Sequence, residues 1–185
     1  MLSNAPDITR LLQAHRDGDA RALDALIPVL YDDLREIARR QRRRSSSSTL
    51  NTTAVVHEAW VKLAQQSQLS INDRGHFLAL AARCMRSLLI DHARRWHAQK
   101  RGAGVAALSL RPEDAIADAE VERLLALDQA LEGLGALDAR LPRIVECLHF
   151  AGLTAEETGT ALGIGTRTVE RDWARARAWL AKTLA

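Results

Sequence analysis

Aromatic residues are scarce in this sequence. They make up only 4% of the 185 residues, while hydrophobic residues make up 47% and the chain is rich in alanine, leucine and arginine. Alanine, leucine and arginine favour helices, whereas strands are enriched in aromatic and β-branched residues. The composition therefore predicts an all-α fold. The length suits either one ordinary domain or two small helical domains.

Cysteine and long apolar runs are scarce as well. Cys84 and Cys147 are far apart and have no partner at the spacing of a metal site, so we expect buried reduced thiols and neither metal nor cofactor. No apolar run approaches the roughly 20 residues needed to cross a bilayer, and the N-terminus lacks the pattern of a signal peptide. The sequence thus predicts a cytoplasmic protein without membrane insertion.

The residue patterns of common catalytic sites are also missing. His57 and Glu58 begin like a zinc-protease motif, but Val61 occupies the position that needs the second histidine. His92 and His97 are not spaced to share a metal on one helix face, and the sequence has no glycine-rich phosphate loop. We therefore expect that this protein is not an enzyme.

Apolar residues recur at helical spacing through the first half of the chain. They predict two helices within 7–44 that are separated by a turn at 17–19, a third helix over 53–66 and a fourth over 77–100. Pro28 lies inside the second of these patterns. Because proline removes a backbone donor, we expect the second helix to begin near Pro28 or to bend there.

The fourth predicted helix carries a concentration of positive charge. Asp91 is the only acid among its later basic residues, which are Arg83, Arg86, Arg94, Arg95, Lys100 and Arg101. A solvated helix face normally mixes charges of both signs, so this concentration favours contact with nucleic acid.

Residues 102–120 differ in character from the helices before them. They combine glycine, Pro112 and small residues with a series of acids and show no sustained period, which predicts a flexible linker. The linker would separate a first domain at 1–101 from a second domain of four short helices at 121–185. One hypothesis is that acids of this segment, together with Glu122 just after it, lie against the basic surfaces. These acids are Glu113, Asp114, Asp118, Glu120 and Glu122.

The segment GLTAEETGTALGIGTRTVERDWARARAWL predicts a helix-turn-helix motif. Thr154 and Glu157 have the spacing of a capping box at the start of a short helix, and Gly163 can end that helix by taking positive φ. A second helix follows Gly165, and Gly159 offers the small residue that closely crossing helices need. The alternative is an ordinary helix hairpin on the protein surface.

The second helix of this motif has a polar stripe that would fit a major groove. Helical spacing brings together four residues, which are Arg167, Thr168, Arg171 and Arg175. Arg167 and Arg171 could make bidentate contacts with guanine, and Arg175 is placed for a phosphate. Glu170 flanks the stripe, where it either accepts a hydrogen bond from cytosine or is simply solvated.

Two segments, MRSLLIDHAR with a downstream KRG and LGIGTRTVERDWARARAWL, together resemble the extracytoplasmic-function (ECF) sigma factors, specifically the ECF-like subgroup. The resemblance covers nearly the whole chain. It implies that the first domain binds core RNA polymerase and the minus-ten promoter element, and that the second reads the minus-thirty-five element. An anti-sigma factor or another regulator would be a further candidate partner.

The resemblance also implies roles for individual residues. In the family the helix that matches 55–65 docks on the polymerase, so Glu58 and Lys62 are candidates for polar contacts, with an exposed ion pair as the alternative. Contacts with the minus-ten element would come from Arg83, Arg86, Ser87, Arg94, Arg95, Lys100 and Arg101. Contacts with the minus-thirty-five element would come from the stripe Arg167, Thr168, Arg171 and Arg175.

Two positions depart from the family pattern. Gly165 stands where members often have serine, and Thr158 replaces a usual aliphatic residue. The competing interpretation of the whole chain is a freestanding helix-turn-helix regulator whose first domain senses or dimerises. The basic fourth helix disfavours that interpretation, because a sensor domain has no use for a second DNA-binding surface.

Overall fold

A computed structural model describes residues 5–45, 51–65, 71–102 and 112–185. Within these ranges the chain is helical and contains no strand, which confirms the predicted all-α fold. The elements in chain order are α1 (Ala5–Arg16), α2 (Ala20–Ser45), α3 (Thr52–Ala64), α4 (Arg74–Gly102), α5 (Pro112–Leu137), α6 (Arg140–Val145), a π-helix (Glu146–Ala151), α7 (Ala155–Leu162) and α8 (Thr166–Thr183).

The helices of the first half follow the predicted pattern with shifted ends. α1 and α2 are separated at the predicted turn, where Gly18 has a φ of 98° that favours glycine. α2 then begins at Ala20 and continues past Pro28, so the alternative that the helix starts at the proline is wrong. Asp19 stabilises this earlier start, because its Oδ1 accepts from the backbone N–H of Arg21 at 2.9 Å.

The predicted linker is helical in its second part. α5 begins at Pro112 and runs to Leu137, so residues 112–120 extend a helix that was expected to start only at 121. Proline is compatible with this position because the first N–H groups of a helix have no partner within the helix. The expectation of an irregular linker is therefore wrong for this part, and residues 103–111 lie outside the described residues.

Two different kinds of helix follow one another directly over residues 140–151. α6 ends at Val145 and the π-helix follows directly, until Gly152 ends it with a φ of 75°. The backbone N–H of Leu153 donates to the carbonyl of Cys147 at 3.0 Å across this end. A π-helix inserts an extra residue into the turn, so the face that α6 presents to α8 differs from the one that the π-helix presents to α4.

α4 is the central helix of the molecule. It packs against α2, α3, α5, the π-helix and α7. Phe77 and Met85 of α4 are fully buried, and the Phe77 ring lies 6.1 Å from that of Trp60 on α3, between centroids. The buried cluster continues from these residues to Leu131 of α5 and Phe150 of the π-helix. One continuous apolar core therefore connects the two halves of the chain.

Candidate nucleic-acid interface

α7 and α8 form the helix-turn-helix, and its predicted capping box is present. The Thr154 hydroxyl accepts from the backbone N–H of Glu157 at 3.1 Å, and the Glu157 carboxylate accepts from the backbone N–H of Thr154 at 2.8 Å. Gly163 ends α7 with a φ of 68°, as predicted. These contacts satisfy backbone donors that the first turn of α7 would otherwise leave without a partner.

Gly159 allows the turn to approach α7 closely. The backbone N–H of Ile164 donates to the carbonyl of Gly159 at 2.9 Å. A Cβ atom added at Gly159 would lie only 2.7 Å from the carbonyl oxygen of Ile164. The need for a small residue was therefore predicted correctly, and the group that imposes it is the backbone of the turn.

The polar stripe of α8 faces outward at its three arginines. Arg167, Arg171 and Arg175 are exposed, while Thr168 is half-buried. Val169 and Ala176 on the opposite side are fully buried. The structure thus brings the three predicted arginines to one accessible side of the helix and covers its apolar side.

Asp172 is a site residue that the sequence analysis did not identify. Its carboxylate is fully buried and lies beside three guanidinium groups, which belong to Arg140 of α6 and to Arg171 and Arg175 of α8. Burial alone would raise its pKa, but a hydrogen bond from Arg171 and the charges of Arg140 and Arg171 outweigh it and lower the pKa of Asp172. Its helical spacing from Val169 and Ala176 was the available signal, because it places a charged residue on the apolar face.

The basic residues of α4 do not all face the same way. Arg83, Ser87 and Arg95 are exposed, and Arg95 Nε donates to the backbone carbonyl of Asp91 at 3.2 Å. The helix backbone continues through Lys100 and Arg101, whose side chains lie outside the described residues. Only part of the predicted minus-ten set is therefore seen on an open surface.

Arg86 points into the contact between α4 and the second half of the chain. Its guanidinium lies 2.7 Å from Asp128 Oδ1 and 2.9 Å from Glu146 Oε1, and the side chain is only 14% exposed. Arg94 shares the other oxygen of Asp128 at 3.1 Å but is 57% exposed. Among the described side chains, the acids that pair with Arg86 and Arg94 are Asp128 of α5 and Glu146 of the π-helix. The side chains of Glu113, Asp114 and Asp118, which were expected to lie against the basic surfaces, are outside the described residues.

The two predicted polymerase-contacting residues lie on α3. Glu58 is exposed. Lys62 makes an ion pair of 3.4 Å with Asp91 of α4, in which the two side chains are 41% and 47% exposed. The ion-pair alternative therefore describes Lys62 in this structure.

The thiols and the metal-binding residue types form no metal site in the part of the chain that the structure describes. Both cysteines are free, Cys147 is buried and Cys84 is half-buried. Burial, together with the charge of Glu146, raises the pKa of Cys147 to about 12. Among the described residues no group of histidine, cysteine and acidic side chains could hold a metal ion, and none of their helices is long and apolar enough to cross a membrane.

A basic helix-turn-helix packed beside a basic central helix is the construction of a DNA-binding transcription protein. A family model described as ECF sigma factor matches residues 5–185. The chain therefore belongs to the ECF sigma factor family, a family of non-enzymatic transcription regulators that act with RNA polymerase. The comparison with curated proteins gives no match.

Proposed function

We propose that this protein binds core RNA polymerase and directs initiation at specific promoters, with α8 reading the minus-thirty-five element and α4 contacting the minus-ten element. The proposal depends above all on one observation. Arg167, Arg171 and Arg175 are exposed together on the second helix of a capped helix-turn-helix. Family membership across residues 5–185 supports the connection with the polymerase.

The arginines of α8 suit duplex recognition. A guanidinium presents paired donors that match the O6 and N7 acceptors of guanine, and each such bidentate contact discriminates against a wrong base by about 1–3 kcal/mol. Arg167 and Arg171 are assigned to bases because they lie nearer the N-terminus of α8, which enters the groove first. Arg175, farther along the helix, is assigned to a phosphate.

The residues of α4 that are proposed to contact the minus-ten element differ in how accessible they are. Arg83, Ser87 and Arg95 can meet DNA without rearrangement, since they are exposed. Arg86 can do so only after its ion pairs with Asp128 and Glu146 are broken. In the proposed function, binding of the minus-ten element through Arg86 therefore requires α4 to separate from α5 and the π-helix, and the apparent affinity is lowered by the cost of that separation.

The proposed polymerase contact lies on the exposed side of α3. Glu58 is accessible there, and Val61 beside it is 41% exposed, whereas the opposite side of the helix packs in the core. Lys62 would have to exchange its partner Asp91 for a group of the polymerase. Because that ion pair is exposed, the exchange costs little.

The decisive experiment combines the purified protein with sigma-free core polymerase and maps transcription starts on genomic DNA. We expect a stable complex and initiation at defined sites. Single Arg167→Ala and Arg171→Ala variants should lose at least roughly tenfold in initiation at those sites, since each removes a bidentate base contact. Arg177→Ala is the matched control, because Arg177 is also exposed on α8 but stacks over the Trp173 ring, away from the stripe.

Three results would contradict the proposal. One is that the core polymerase does not bind the protein. Another is equal loss in the Arg177→Ala control, which would indicate a general effect of charge. The third is protection of a palindromic site by the protein alone, which would identify a freestanding regulator.

A further inference from the structure

We propose that Asp172 is a positioning residue for promoter recognition, which holds the guanidinium groups of Arg140, Arg171 and Arg175 at one surface and thereby adds Arg140 of α6 to the DNA-contacting set. This inference rests on the proposed role of α8. To that role it adds Asp172, which does not itself touch DNA, and a DNA contact by Arg140, which lies outside the helix-turn-helix.

The buried carboxylate of Asp172 lies beside three solvent-accessible arginines. Arg140 Nε lies 2.9 Å from Oδ2, while Arg171 Nε and Arg175 Nη1 lie 3.2 Å and 3.6 Å from Oδ1. The carboxylate is fully buried, yet the three arginine side chains are 40%, 64% and 57% exposed. Arg140 and Arg171 thus contact the acid through Nε and Arg175 through Nη1, while a large part of each side chain reaches solvent.

The atom through which each arginine contacts Asp172 decides which of its nitrogens can still bind DNA. Arg140 and Arg171 form their ion pairs with Asp172 through Nε, so these contacts do not occupy their two terminal Nη groups. Those two nitrogens are the donors that bind the paired acceptors of guanine or the oxygens of a phosphate. In Arg140, Nη2 also contacts Asp138 at 3.3 Å. A single hydrogen bond from Nη1 to a phosphate therefore suits Arg140 better than a bidentate contact with guanine.

The contact with Asp172 also determines at which stage the arginine side chains lose their conformational freedom. A free arginine side chain must give up its rotamer freedom on binding, whereas one that is already held loses it during folding. Asp172 remains ionised at neutral pH, because its pKa is lowered by the neighbouring arginines despite its burial. One carboxylate among three guanidinium groups still leaves net positive charge at this surface, so the attraction for DNA is retained.

Packing alone does not explain an aspartate at this position. Its neighbours on the same side of α8 are Val169 and Ala176, and an apolar residue would complete that face without the desolvation of a charge. The carboxylate is favourable there only because the arginines surround it.

The direct test observes the arginine side chains in the full chain by NMR. In the wild type we expect the Nε–H groups of Arg140 and Arg171 to be ordered and slow to exchange with solvent. In Asp172→Asn both should become mobile, while Arg167 and Arg177 remain unchanged. Unchanged order of Arg140 and Arg171 in Asp172→Asn would overturn the proposal.

The functional test uses the holoenzyme with core polymerase and a pool of duplexes randomised upstream of the start site. We expect Asp172→Asn to reduce discrimination between selected and scrambled minus-thirty-five sequences on the order of tenfold, the worth of one bidentate contact. Affinity for the scrambled duplex should stay the same or rise, since a negative charge is removed. A parallel fall of both affinities would indicate a destabilised domain and contradict a positioning role.

A second variant keeps the inference testable if Asp172→Asn folds poorly. Arg140→Ala should lower the slope of log affinity against log salt by about one, as expected for one lost phosphate contact. Arg143→Ala is its control, because Arg143 is an exposed neighbour on α6 that is not held by Asp172. Equal slopes for the two variants would remove Arg140 from the contacting set.

The two proposals fail in different ways. If the wild type never initiates with core polymerase, the proposed function is wrong, and the NMR comparison still decides whether Asp172 holds the arginines. If initiation is specific and Asp172→Asn keeps full discrimination, only the positioning role is wrong.

Discussion

Replacing Asp128 with asparagine tests how firmly α4 is held against the second half of the chain. The side chains of Arg86 and Asp128 are 14% and 12% exposed, and their contact is 2.7 Å. Asparagine keeps the shape of aspartate but removes its charge. Arg86 would retain Glu146 as a partner, and Arg94, which is more than half exposed, would be solvated by water.

The expected change in the free energy of unfolding follows from the fact that Arg86 loses only one of its two partners. Removing one partner of a buried ion pair costs about 3–5 kcal/mol when the remaining charge has no other partner. A single hydrogen bond to a charged group contributes about 1.5–3 kcal/mol. Because Glu146 remains, we expect Asp128→Asn to lower the free energy of unfolding by about 2 kcal/mol.

A matched control is Asp91→Asn on α4. Asp91 pairs with Lys62 at 3.4 Å, with both side chains more than 40% exposed, so this variant should cost less than about 1 kcal/mol. Urea unfolding of the full chain, followed by tryptophan fluorescence and circular dichroism, measures both. The difference between the variants should persist in high salt, which screens exposed pairs more than buried ones. Equal shifts of the unfolding midpoints would refute the reasoning.

Three other changes have expected outcomes of their own. Thr158→Val should stabilise the protein by about 1 kcal/mol in urea unfolding, because the fully buried Thr158 hydroxyl has no hydrogen-bond partner, and Thr160→Val at an exposed position should not. Gly159→Ala should destabilise by about 1–3 kcal/mol through its clash with the turn. Gly165→Ala, with open space around it, should cost less, since it meets no atom and loses only the preference for glycine over alanine at the N-cap of α8; the reverse order would exclude the clash. Cys147 should resist alkylation in the native state at pH 9, since its pKa is raised to about 12, and stability from this thiol should fall as pH rises from about 9 to 12. Fast native-state labelling of Cys147 would contradict its burial.

Local signals in the sequence were sufficient for the all-α fold and for the helix-turn-helix. Thr154, Glu157 and Gly163 act on backbone groups within one or two turns, so their spacing alone predicted where α7 begins and ends. The exposed arginines of α8 followed from helical periodicity in the same way. Each of these features depends on contacts between residues that are close in the sequence.

The features that escaped prediction depend on distant contacts. Arg86 could not be distinguished from the exposed arginines of α4, because its partners Asp128 and Glu146 are 42 and 60 residues away. Pro112 is the exception, because it is a local signal: it was interpreted as a break, although proline is equally suited to a first turn. The role of Asp172 depends on Arg140, which reaches it from another helix.

The π-helix makes the length of the chain between α6 and Gly152 critical. α6 contacts α8 through one face, and the π-helix contacts α4 through another. Deleting one residue would convert the wide turns into α-helical ones and rotate one contact face by about 100° relative to the other. Either Leu141 and Ile144 would leave α8, or Glu146 and Phe150 would leave α4. A single insertion or deletion in this segment would therefore change which surfaces of the two halves of the chain meet.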